Sequence, residues 1–229
     1  ERHAGRIADP FRNALHRGDR VAQIELLRLQ LELARFDLRQ IEDVVDQIEQ
    51  VIAGDVDVLD ELEEALRRKT LIVDTRPAER FAAGHVPGTL NIPLGKSFLN
   101  WMGAFVPEDK EFILITEADN EDAIKAILHD LCKIGLTRVR GVFRGETFRE
   151  WKSRGGKLET VAQLEPESLQ NIEGARPQIV DVRSPEEWSH GHLPGALHIP
   201  LAALPEKLGE LDPSSPIVLH CKGGGRSSI

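Results

Sequence analysis

The apolar positions of this chain change their period near residue 70. Before it they fall at Ile24, Leu27, Leu31, Ala34, Leu38, Ile41, Val45, Ile48 and Ile52, in alternating steps of three and four. That spacing forms one seam and predicts a long amphipathic helix over about 19–53, with Gly54 and Asp55 as its stop. A shorter helix with Leu59, Leu62 and Leu66 follows. The seam suits either a coiled coil that joins two copies of the chain or packing on a neighbouring domain, and four heptads do not separate the two.

After residue 70 the apolar residues gather in short unbroken runs, "TLIVD", "EFILIT", "PQIVD" and "PIVLHC", separated by polar stretches of helical period. Strands with no polar alternation are covered on both faces, which predicts a parallel sheet between helices and an α/β fold. A helix is expected over 120–134, a strand in "RVRGVFRG", and a closing helix in "ETFREWKSRGG" that ends at Gly155 and Gly156; residues 161–172 then form a link.

A shift of 107 positions lays the chain on itself. Residues 72–94, IVDTRPAERFAAGHVPGTLNIPL, match 179–201, IVDVRSPEEWSHGHLPGALHIPL, without a gap and with 13 of 23 positions identical. Asp74 pairs with Asp181, Arg76 with Arg183, Gly84 with Gly191 and His85 with His192. The chain therefore holds two copies of one fold. The expected division is a helical arm over 1–68, a first copy over 69–160 and a second over 161–229, the second truncated at its C-terminus.

Composition narrows the class. With 41% apolar residues in 229, the chain can bury a sizeable core, and no apolar run approaches the roughly 18 residues of a membrane span. A formal charge of −9 repels phosphate backbones, so no nucleic-acid partner is expected of this segment. The basic cluster Arg2, Arg6, Arg12, Arg17 and Arg20 reads as a solvated helix start. Two cysteines cannot make a disulfide scaffold and suit a reducing compartment, here the cytoplasm. The absence of an initiator Met and the end at Ile229 suggest a piece of a longer protein, with an upstream domain elsewhere.

The candidate chemistry lies in Cys221-Lys222-Gly223-Gly224-Gly225-Arg226-Ser227, directly after an apolar strand. Ligands of parallel sheets bind beyond the carboxyl ends of strands. Three glycines let successive N–H groups turn toward one point, and a helix beginning near Arg226 would aim its positive end there. A thiol inside that cradle, beside Lys222 and Arg226, should be substantially thiolate at neutral pH and hence a nucleophile. Asp181 and Arg183, at the end of the preceding strand, are expected to organise the neighbouring loops. His220 is an unlikely base for Cys221, because adjacent strand residues point to opposite faces, and the loop residue His192 suits packing and hydrogen bonding better.

In the first copy, alignment of "EFILIT" on "PIVLHC" puts Thr116 at the nucleophile position and Glu121 at that of Arg226, in an acidic loop Glu117-Ala118-Asp119-Asn120-Glu121. That copy should be catalytically dead. Cys132 lies on the apolar face of a helix and is expected to be structural.

"DVRSPEEW", "GHLPGALHIP" and "HCKGGGRS" together resemble the rhodanese (sulfurtransferase) family over roughly 71–229. The resemblance implies two tandem rhodanese-like three-layer domains and a persulfide mechanism without a cofactor or metal. In it Cys221 takes the outer sulfur of thiosulfate or of a low-molecular-weight persulfide and passes it to a thiol or cyanide. Amides of residues 222–227 would stabilise the charged sulfur, and Lys222 and Arg226 would attract the anionic donor. Phosphatases of this fold place five residues between Cys and Arg; the four here suit sulfur better. "GKSFLNWMGAFVPED" is similar to the rhodanese tail of metallo-β-lactamase-fold persulfide dioxygenase fusions, although the His-x-His-x-Asp-His metal motif is not in the sequence. The arm resembles, more loosely, helices that join winged-helix repressors to rhodanese domains, which implies an alternative role as a sulfide- or redox-sensing adaptor.

Overall fold

The computed structural model describes residues 58–118, 120–144, 147–171 and 177–229. The heptad seam over 19–53 lies outside them, and the chain from Val51 onward is one compact unit.

The first copy opens on helix α1 (Val58–Arg68), which buries Leu59, Leu62 and Ala65 and carries Glu64, Arg67 and Arg68 on its wet face. Strand β1 (Leu71–Asp74), helix α2 (Ala78–Ala83), the two-residue strand β2 (Leu90–Asn91), helix α3 (Phe98–Phe105), strand β3 (Phe112–Thr116), helix α4 (Glu121–Lys133), strand β4 (Val139–Arg144) and helix α5 (Thr147–Ser153) follow. The strands form one parallel sheet in the order β2-β1-β3-β4. All five residues of β3 are buried, as a central strand between two covering layers requires. Ile72, Ile113 and Ile115 point to the face covered by Leu62, Ala65, Phe148 and Trp151. Asn120 caps α4 by accepting a hydrogen bond from the Ala123 amide at 2.8 Å.

The second copy repeats the plan with strand β5 (Gln178–Asp181), helix α6 (Pro185–Ser189), strand β6 (Leu197–His198), helix α7 (Leu204–Lys207) and strand β7 (Ile217–His220). Its described sheet is parallel, in the order β6-β5-β7. The register matches across copies: Asp74 pairs with Ile115, and Asp181 with His220. Thr116 and Cys221 are therefore equivalent positions, each one residue beyond the partner of the strand-end aspartate.

The copies differ in cover. In the first, Gly84 packs on Leu158, and His85 exchanges backbone hydrogen bonds with Glu159, so the Gly-His-x-Pro-Gly loop is largely buried. In the second, that loop is exposed, and Ile217 on β7 is 42% exposed. The two-sided cover expected of both sheets thus holds for the first and is thinner over the described part of the second. The second core, made by Val180, Val182, Ile199, Leu201 and Leu211, also receives Trp101 and Phe105 from α3 of the first copy.

Candidate active site

Each copy ends its first strand with the same clamp. Arg183 holds both carboxylate oxygens of Asp181 and donates to the Gly191 carbonyl at 2.8 Å, and Arg76 does the same with Asp74 and the Gly84 carbonyl at 2.9 Å. Asp181 is fully buried. Burial pushes its carboxyl up, but the Arg183 side chain and amide, with His220 nearby, outweigh that and hold it below the usual range. The clamp ties the end of the strand to the Gly-His-x-Pro-Gly loop through Asp181 and Arg183. His192 stacks on Trp188 at 3.6 Å, and His198 stacks on the same indole at 4.7 Å. Both rings are used in packing.

Cys221 leaves β7 half-buried, with Leu219 and Ile229 against the same core. The loop then turns through Gly224, whose φ of +79° lies in the left-handed region that glycine adopts at little cost. Residues 222–228 make bends and turns, and one helical bond, from the Ser228 amide to the Gly224 carbonyl at 3.1 Å, stands where a helix was expected to open. The cradle forms nonetheless. Burial raises the Cys221 thiol pKa, while the Ser227 hydroxyl, 3.6 Å from Sγ, and the amides of Ser227, Gly223 and Arg226 lower it by more, so it lies below the ordinary thiol value. Donors converging on sulfur favour its anion over its neutral form.

Arg226 turns one edge to Glu187 on α6, with its Nη2 2.7 Å from Oε1, and its charge lies near the Cys221 sulfur. Lys222 is exposed, as are Gly223, Gly224 and Gly225. His220 directs Nε2 toward Asp181 at 3.5 Å, which agrees with the strand argument against a base role. Sequence reading missed Glu187. Ser184-Pro185-Glu186-Glu187 is a capping-box pattern, and the box is formed, but nothing local in it announces a partner 39 residues away.

The first copy lacks this chemistry. Thr116 is buried, its hydroxyl accepts from the Ala118 amide at 3.1 Å, and Glu117 faces Arg80. Burial pushes the Cys132 thiol up to about 11. Among the described residues no cluster of metal-ligating side chains is present, and no helix is long and apolar enough to cross a membrane.

Parts of the chain are similar to known proteins. An HTH-type transcriptional regulator of Mycobacterium tuberculosis is 44% identical over 57 residues, a quarter of this chain and a quarter of that protein. A thiosulfate sulfurtransferase of Pseudomonas aeruginosa is 28% identical over 69 residues, 30% of this chain and 63% of that one. In both cases the chain covers less than two thirds of the relative's length. Among solved structures, a metallo-beta-lactamase from Staphylococcus aureus aligns with 32% identity over 33% of this chain and 21% of its own, with a TM-score of 0.30. The model of the rhodanese-like domain matches residues 58–152 and 165–229. Two such segments, on a parallel sheet with a repeated strand-end clamp, make the chain a member of the rhodanese-like domain family.

Proposed function

We propose that this chain is a sulfurtransferase that carries sulfane sulfur on Cys221. The second copy, 161–229, is the catalytic unit, and the first, 69–160, is not. The observation that carries the reading is the Cys221 sulfur ringed by the Ser227 hydroxyl and three loop amides, with Arg226 against it.

In the first half-reaction the Cys221 thiolate attacks the outer sulfur of the donor. A new S–S bond forms, and the donor's own S–S bond breaks. Its electron pair leaves with sulfite when the donor is thiosulfate, or with a thiolate when it is a small persulfide. In the second, an acceptor thiolate attacks the outer sulfur of the Cys221 persulfide and departs as a persulfide, which returns the Cys221 thiolate. The amides of Gly223, Arg226 and Ser227 stabilise the anion in both steps, and Arg226 with the exposed Lys222 draws in a charged donor. No metal or cofactor enters the scheme.

Thiosulfate and glutathione persulfide, offered side by side to wild type and Cys221→Ser, test it. Turnover with at least one donor, lost in the variant to the level of the uncatalysed reaction, is expected; activity retained by Cys221→Ser refutes the assignment.

The similarity to an HTH-type regulator favours a second reading, in which the Cys221 persulfide is a signal within an adaptor and does not turn over. Stoichiometric persulfidation of Cys221 that no acceptor thiol discharges would select it.

A further inference from the structure

We propose that Glu187 is a positioning residue for this reaction: its grip on the Arg226 guanidinium holds that cation over the Cys221 sulfur, where an anionic donor must arrive. The inference rests on the sulfurtransferase reading and adds to it a residue outside the thiol loop.

Arg226 is the last long side chain of the loop, and it stands on a run of three glycines that provides little stiffness of its own. Glu187 supplies the missing restraint. Its two carboxylate oxygens meet the two terminal nitrogens of Arg226, a fork-on-fork contact that fixes the plane of the guanidinium as well as its distance. Glu187 is itself anchored, since it accepts hydrogen bonds from the Ser184 amide and hydroxyl, each at 3.1 Å, in the capping box of α6. Ser184 follows Arg183, which clamps Asp181 at the end of β5. A rigid path therefore runs from the sheet to the guanidinium, whose charge lies near the sulfur, on the residue just before Ser227, whose hydroxyl stands 3.6 Å from Sγ.

The first copy provides an independent comparison. Its residue at the Glu187 position is Arg80, and its loop is acidic; Arg80 approaches Glu117, the counterpart of Lys222, at 4.0 Å. In the first copy, too, the helix after the first strand faces the thiol-position loop, there through a different loop residue and with the charges reversed, although no thiol stands at Thr116.

Two electrostatic roles for Glu187 make opposite forecasts. A carboxylate that only offsets the charge of Arg226 weakens the attraction of anions to Cys221, so its removal strengthens that attraction. A carboxylate that positions Arg226 maintains the attraction, so its removal weakens it. Alkylation of Cys221 in the full chain by iodoacetate and by iodoacetamide reads this directly, because the ratio of the two rates reports the positive field at the sulfur, and no sulfur transfer is needed. Glu187→Gln is expected to lower the ratio about fivefold, the size of a partly screened charge contact, toward the value of Arg226→Gln. Glu187→Asp, shorter by one methylene, should fall between, and it carries the test if Glu187→Gln does not fold. Glu187→Gln should change nothing further in an Arg226→Gln background. An unchanged or increased ratio in Glu187→Gln and Glu187→Asp overturns the proposal. A lowered ratio in a protein that transfers no sulfur would leave Glu187 as the anchor of Arg226 and refute only the sulfurtransferase reading.

Discussion

At the scale of single residues, this chain has two thiols in opposed environments. Cys132 on α4 is pushed up to about 11 by burial, and burial wins because few donors face its sulfur. Cys221 also suffers burial, yet the Ser227 hydroxyl and loop amides win there and lower its pKa. Only the thiolate alkylates, so a lower pKa moves the onset of reaction to lower pH. Iodoacetamide at neutral pH should therefore label the folded chain once, at Cys221, with a rate that reaches half its maximum at a lower pH than that of the same thiol in the unfolded chain. Cys132 should react only after denaturation. Mass mapping of the labelled peptides checks this, and equal labelling of both thiols would contradict the environments described. The Glu187 carboxyl, drawn down to about 2 chiefly by Arg226, stays ionised through that whole range. Glu187 thus adds no step of its own to a pH profile of Cys221 labelling between about 5 and 9.

Among the elements, those legible in the sequence were the ones whose burial left a continuous apolar run. β1, β3, β5 and β7 were read from "LIVD", "FILIT", "QIVD" and "IVLH". Asn120 and the Gly155-Gly156 pair marked the ends of α4 and α5 because caps and stops act over one turn. The strands β2 and β6 have two residues each, too few to show a period, and they exist through pairing with β1 and β5. The thiol loop was legible as residues, and the helical bond between Ser228 and Gly224 lies where a helix was expected to open, but the tie of Arg226 to Glu187 was not legible. Gly156 illustrates the same limit. Its sequence role is a helix stop, yet a Cβ there would lie 2.3 Å from the Trp151 indole, whose Nε1 donates to the Lys157 carbonyl. Since that ring packs on the first core, it cannot swing aside without opening the face. Gly156→Ala should cost about 1–3 kcal/mol, as overpacking does. A fall in the urea midpoint would show it, and an unchanged midpoint would mean that the indole relocates freely.

For the molecule as a whole, the question is what a copy without a thiol at the nucleophile position contributes. Its core is the better covered of the two, with β3 buried at every residue, whereas β7 is exposed at Ile217 and half-buried beyond. It also lends the second copy part of its interior. Helix α3 buries Phe98 and Met102 and places Trp101 and Phe105, stacked at 5.8 Å, on the cluster that backs Cys221. The four fall at i, i+3, i+4 and i+7, one apolar stripe whose Trp101–Phe105 edge meets the second core. Truncating both aromatics to alanine should therefore leave the first core intact and remove about 2–4 kcal/mol of apolar burial from the second. Where wild type unfolds in one urea transition, Trp101→Ala/Phe105→Ala should show two, the earlier of them accompanied by loss of the fast iodoacetamide reaction at Cys221. A single transition at the wild-type midpoint would mean that the second copy stands without the helix of the first, and that the inactive copy supports its partner in some other way.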